Sequence, residues 1–164
     1  MIYRLFVLVA APLLATTGLV FGAENDVRQK LTGSWDLVAY ELRTPDGKTS
    51  RPLGDDPVGR ISYDAGGRMS AHLMRRGVAK FRAAKREESA PDEIVAAWKG
   101  YVGYFGHYTI DETATAVIHL VEGAWYPNYV GTQQVRVYRF DGDRLTLKAE
   151  SASGHVTVVW KRAH

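Results

Sequence analysis

Short runs of alternating apolar and polar residues fill the chain from Trp35 to Arg162, most of them separated by turn chemistry: "TPDG", "DAGG", "DETA", "DGD" and "SASG". Gly66 and Gly67 tolerate the positive φ that hairpins require, and Pro45, Asp46 and Gly47 supply the angles of another tight turn. Eight strands are expected: Trp35 to Leu42, Val58 to Tyr63, Arg68 to Met74, His107 to Ile110, Thr115 to Glu122, Thr132 to Phe140, Arg144 to Glu150 and His155 to Arg162. Spacing this short marks an antiparallel meander, which must close or leave unpaired edges. Closure of eight strands gives a barrel whose interior holds one small ligand. The expected fold class is all-β, a closed eight-stranded antiparallel meander barrel, with a β-sandwich as the alternative.

One helix interrupts the meander between strands 3 and 4, in "SAPDEIVAAWKGYVGYFG". Ser89 with Asp92 forms a capping-box pattern, Pro91 suits a first turn, and Ile94, Trp98, Tyr101 and Phe105 recur at helical steps, which predicts a helix ending near Gly103. Its apolar face must cover something. A short helical stretch is also expected over Asp26 to Leu31.

The first residues carry one cation at Arg4, an apolar run and small residues at Gly22 and Ala23, the layout of a secretory signal peptide over 1–22. A retained membrane anchor is the alternative, since the run is nearly long enough for a span of about 20 residues. Residues 23–164 then form one domain, large enough for its own core. The chain has no cysteine, which is compatible with an oxidising compartment and excludes a lipid-anchored cysteine. The expected location is the bacterial periplasm or the outside.

A net charge of +3 predicts no nucleic-acid partner. "RRGVAKFRAAKREE" nevertheless concentrates Arg75, Arg76, Lys80, Arg82, Lys85 and Arg86, either as a solvated loop or as a basic rim for an anionic ligand or peripheral lipid contact. Zinc, nucleophile-elbow, phosphate-loop and dinucleotide patterns are absent from the sequence, so no metal or cofactor is expected. A metal site would need folding to gather His72, His107 and His119, whereas a haem would need only one histidine.

The stretch "IHLVEGAWYPNYVGTQQVR" concentrates polar groups among hydrophobes. His119 and Glu122, three apart, point to opposite faces unless the strand bulges. Gln134, Arg136 and Tyr138 share one face of the next strand. If that face is internal, Arg136 needs a partner, because an unpaired buried charge costs several kcal/mol; if it is external, Val135 and Val137 point inward. Trp125, Tyr126 and Tyr129, with Asn128 between them, suit a gate or a plug at the barrel mouth. Tyr63 and His72 on the first hairpin and Tyr104 in the helical stretch are further cavity candidates.

Gly33-Ser34-Trp35, following a short helical segment, resembles the G-x-W signature that opens lipocalin barrels. "PLGDDPVGRISYDAGGRMS" and "PNYVGTQQVR" extend the resemblance, in order and spacing, to the bacterial lipocalin-like domain family of small stand-alone proteins, over Leu31 to about Trp160. The resemblance implies that Trp35 closes one barrel end and that Lys161 or Arg162 packs on its ring. It also favours Arg136 inside. The family has no agreed activity, and the basic segment departs from its pattern. Two functions follow as expectations. One is an exported monomer or weak dimer that binds a small hydrophobic or amphipathic molecule, with Arg136, Gln134 and His119 as polar anchors. The other is a cofactor-free isomerase or cyclase in which His119 or Glu122 moves a proton. An envelope module contacting anionic lipid is a third.

Overall fold

The computed structural model of the protein describes residues 26–164, and the expected leader over 1–22 lies outside them. Residues 26–31 are helical (α1) and lead into nine strands: β1 Gly33–Arg43, β2 Thr49–Ser50, β3 Val58–Tyr63, β4 Arg68–Met74, β5 Tyr101–Asp111, β6 Ala116–Ala124, β7 Gln133–Asp141, β8 Arg144–Ser151 and β9 Gly154–Arg162. Eight of these pair antiparallel with their neighbours in the sheet, and β1 also pairs with β9, closing the barrel. The ninth, β2, adds two residues to the end of β1. The helix α2, Pro91–Lys99, lies between β4 and β5, the third and fourth strands of the barrel.

One end is shut by α1. Leu31 is fully buried there, and Trp35 donates its indole N–H to the Leu31 carbonyl at 2.9 Å. Of the two candidate cations, Arg162 packs on Trp35, its guanidinium carbon 3.9 Å from the ring centroid, while Nη1 donates to the Thr32 carbonyl at 2.7 Å. Lys161 instead reaches toward Asp143 on the surface. The glycine of the G-x-W signature has a double reason: Gly33 sits at φ +118, and a Cβ there would lie 3.0 Å from an Arg162 nitrogen.

Bulges decide which residues face inward. Trp35 and Leu37 point into the core, but the β1–β9 register jumps from Leu37↔Trp160 to Ala39↔Val159. Val38 is the extra residue. Beyond it the inward set changes from odd to even numbers, and Tyr40 and Leu42 face the interior.

The helix is shorter than the periodicity predicts. It ends at Lys99, and β5 starts at Tyr101, so Tyr101, Tyr104 and Phe105 belong to a strand. The segment carries two overlapping patterns, helical through Trp98 and then alternating at Val102, Tyr104, Gly106, Tyr108 and Ile110. Pairing with all seven residues of β4 resolves the overlap, because a helix through Gly103 would strip β4 of partners for His72, Leu73 and Met74. Ser89 does not cap α2 either. Ala90 is the N-cap residue, its backbone N–H reaching the Glu93 carboxylate at 3.4 Å, and the Ser89 hydroxyl is buried without a hydrogen-bond partner among the described residues.

The basic segment neutralises much of itself. Arg76 pairs with Asp56, Arg82 with Glu93, Lys85 with Glu88 and Arg86 with Glu87, while Arg75 donates to the Pro52 carbonyl. Among the described residues, no helix is long and apolar enough to cross a membrane.

Candidate functional site

A cavity of about 530 Å³ fills the barrel between the β6–β7 loop and the β8–β9 turn. Its walls include Leu42, Ile61, Leu73, Val102, Leu147 and Val158, an apolar surface suited to desolvating a small organic body. Loop aromatics crowd this end. Trp125 and Tyr126 line the cavity with Tyr129, whose ring meets theirs edge-on at 5.6 and 5.2 Å. Trp98 of α2 joins the cluster 5.6 Å from Trp125, so the helix is fastened to the barrel mouth through one indole. Ile94 and Val95 on the same helix stay about half exposed, at 48% and 49%.

Polar groups enter from one side. Gln134, Arg136, Tyr138 and Phe140 take the less exposed positions of β7, alternating with exposed Gln133, Val135, Val137 and Arg139. Arg136 donates from Nη1 to the Val135 carbonyl at 2.9 Å and from Nη2 to the Gln134 side-chain oxygen at 3.2 Å. Among the described residues, no carboxylate lies within ion-pair distance of it. Burial raises the pKa of Tyr40 and Tyr104, and the Arg136 charge partly opposes both shifts.

Beneath this wall His119 is completely buried between two hydroxyls, Tyr63 at 2.8 Å from Nε2 and Tyr104 at 2.9 Å from Nδ1. Burial first, and the Arg136 charge second, hold the His119 pKa well below its ordinary value. A neutral imidazole has one donor and one acceptor, so one tyrosine donates to the ring and the other accepts from it. Trp125 and Trp160 both line the cavity, and the buried indole N–H of each has no acceptor among the described residues. Such a donor costs about 1–3 kcal/mol unless something supplies the missing partner. The cavity is therefore largely apolar, with Arg136 as the cation in its wall and Glu150, serines and tyrosine hydroxyls elsewhere on its lining.

A model of the lipocalin-like domain matches residues 32–163, nearly all of the described chain. The chain belongs to the lipocalin-like domain family. A relative within reach of sequence comparison is the 4'-hydroxy-3'-methoxypropiophenone carrier protein ppsC of Aspergillus oryzae (strain ATCC 42149 / RIB 40), 35% identical over 85 residues that make up 48% of this chain and 77% of that one. The relative is fungal and named as a carrier, so neither a bacterial origin nor the lack of an assigned activity can be carried over from the resemblance. Among solved structures, a de novo designed fluorescence-activating β-barrel aligns over 84% of this chain and 98% of its own at a TM-score of 0.43 and 12% identity. A mutant of the fluorescent protein UnaG aligns over 82% of this chain and 97% of its own at a TM-score of 0.39 and 15% identity.

In this lipocalin-like barrel, five of the expected contact residues line the cavity: Arg136, Gln134, Trp125, Tyr126 and Tyr104. Tyr63, His119 and Tyr138 are buried in the core instead. Three others stand outside. Glu122 falls where the β5–β6 register slips by one residue, and it is exposed and paired with His107 at 2.5 Å. The bulge does not turn it inward, so His119 and Glu122 never share a pocket. His72 faces outward and meets the Tyr101 hydroxyl at 2.6 Å, and Asn128 is exposed on the loop beside Tyr126. The three histidines that a metal would need are divided by the barrel wall, and no metal-holding group of three ligands occurs among the described residues.

Tyr40 and Val102 are cavity residues that strand parity alone misses. Tyr40 depends on the β1 bulge and Val102 on where α2 stops. Trp160 was legible, since it shares its face with Val158 on a strand that closes the barrel.

Proposed function

We propose that this protein is an exported carrier that holds one small amphipathic molecule, its flat apolar body in the barrel and its hydrogen-bond-accepting end at Arg136 and Gln134. The single observation that carries the reading is Arg136 in the wall of an otherwise largely apolar cavity, its guanidinium without an anionic partner among the described residues. A carbonyl, phenolate, carboxylate or sulfonate would accept from it. The Aspergillus relative supports this class, because the molecule in its name is a ketone with hydroxy and methoxy groups on an aromatic ring. Export rests on the layout of residues 1–22.

The proton-transfer reading loses its pair, since Glu122 lies outside the wall and His119 is desolvated and occupied by two tyrosines. Anionic-lipid contact through Arg75 to Arg86 is weakened by the ion pairs within and around that segment. Two dyes that differ only by a sulfonate test the carrier reading: anilinonaphthalene sulfonate and neutral N-phenyl-1-naphthylamine. Both should bind, and Arg136→Ala should weaken the sulfonate roughly tenfold while changing the neutral dye less than about threefold, the difference expected for one charge-assisted hydrogen bond. Absence of displaceable binding for both dyes would refute it.

A further inference from the structure

Two hollows meet at Arg136. β7 and β8 pair from Asp141↔Arg144 to Val137↔Lys148 and no further, although β7 runs back to Gln133 and β8 on to Ser151. Each keeps its other neighbour, β7 pairing with β6 as far as Gln133 and β8 with β9 as far as Ser151. The barrel wall is therefore parted over residues 133–136 and 149–151. Outside the parting lies a groove of about 570 Å³, bordered by Gln133, Val135, Val137 and Lys148. Gln134, Arg136, Ala149 and Glu150 border both this groove and the barrel cavity.

The backbone explains why Arg136 stands there. The Tyr138 N–H donates to the Thr115 carbonyl, on the β6 side, at 3.0 Å. Strand alternation then turns the Val135 carbonyl toward β8, where pairing has already stopped. Arg136 donates to that carbonyl in place of the missing strand. The groove carries two cations, Arg136 and Lys148, against one carboxylate, Glu150. Arg136 and Lys148 have no carboxylate partner among the described residues, whereas Glu150 is engaged by His155 at 2.7 Å. Val135 and Val137, about half exposed, add an apolar side.

We infer that the ligand lies through this parting, its apolar body inside the barrel, its acceptor at Arg136 and a hydrophilic anionic extension in the outer groove against Gln133 and Lys148. The ligand class is then an acidic conjugate of a small aromatic molecule, whose charged head stays outside the apolar walls. The inference rests on the carrier reading and names what that reading leaves open.

The test uses 4-methylumbelliferone and its glucuronide, which share the aromatic body and differ in the acidic sugar. Extending the register from Val137↔Lys148 sets Val135 opposite Glu150, so Val135→Cys with Glu150→Cys, in a chain without other cysteines, forms a disulfide only when the parting closes. A second variant, Ala149→Trp, wedges the parting without any oxidation. The unmodified protein should bind both compounds. Oxidising the double variant, or introducing Ala149→Trp, should weaken the glucuronide at least tenfold more than the parent phenol, and reduction of the disulfide should restore it. Binding of the phenol but not the glucuronide by the unmodified protein would overturn the inference and leave the carrier reading standing. Equal losses for the two compounds in Ala149→Trp, or full glucuronide binding there, would overturn it as well, placing the head at the aromatic mouth. If neither compound binds the unmodified protein, both readings fall.

Discussion

At the α1 end, Trp35 is fully buried with its indole N–H bonded to Leu31 and Arg162 spread over its ring. At the cavity end, Trp125 keeps a buried N–H group without an acceptor among the described residues, and Arg136 reaches a backbone carbonyl, an amide and the Tyr104 hydroxyl but no carboxylate. The same two residue types thus close one end of the barrel and leave the other chemically incomplete. Satisfied donors at the first end contribute stability; under the proposed carrier function, the Arg136 guanidinium at the second end keeps its charge for a bound molecule.

The largest expected effect breaks the closed end. Trp35→Ala should cost about 3–5 kcal/mol in denaturant unfolding, the usual loss for a fully buried tryptophan. Tyr129→Ala at the mouth, measured the same way, should cost about 1 kcal/mol, since mainly edge-on ring contacts are lost. Equal losses would erase the contrast between the ends. Arg162→Ala should remove about 2 kcal/mol through its ring stacking and its hydrogen bonds to carbonyls. Arg162→Lys should restore less than half of that, because an ammonium cannot stack and fork at once. Arg136→Ala should leave unfolding free energy within about 0.5 kcal/mol while costing the tenfold in sulfonate affinity given above.

Between the two ends sits His119, and acid should reveal it. Its folded pKa lies well below 6.5 because burial disfavours the imidazolium. As pH falls below 6.5, the unfolded chain takes up a proton that the folded chain refuses, and stability is lost down to the depressed folded value. The slope contributed should approach about 1.4 kcal/mol per pH unit in that window. Unfolding curves taken above pH 5, where carboxylates contribute less, should show the slope in the unmodified protein and lose it in His119→Gln. A slope unchanged by the substitution would show that other groups set the acid sensitivity.

Much of this was legible in sequence because it is local. The turn residues separate the strands, Gly33 and Trp35 announce the closed end, and the shared parity of Gln134 and Arg136 places them on one face of β7. Alternation does not reveal where a bulge falls, and Val38 and Glu122 occupy those irregular positions. The inward turn of Tyr40 therefore came only from the pairing of β1 with β9, whereas parity alone set Glu122 opposite His119 and the β5–β6 pairing shows that the bulge there does not reverse it. The end of α2 was ambiguous for a related reason, since helical and strand periods overlap near Tyr101 and only the demand of β4 for a partner separates them.

By itself, then, the sequence determined an antiparallel meander with a capped end and a polar face on one strand, because side-chain alternation and turn chemistry act over a few residues. Only the closed barrel decided which tyrosines meet His119, which tryptophans lack an acceptor and where β7 parts from β8. Each of these depends on residues distant in sequence whose relation is set by register, a property of pairs of strands that no single strand carries.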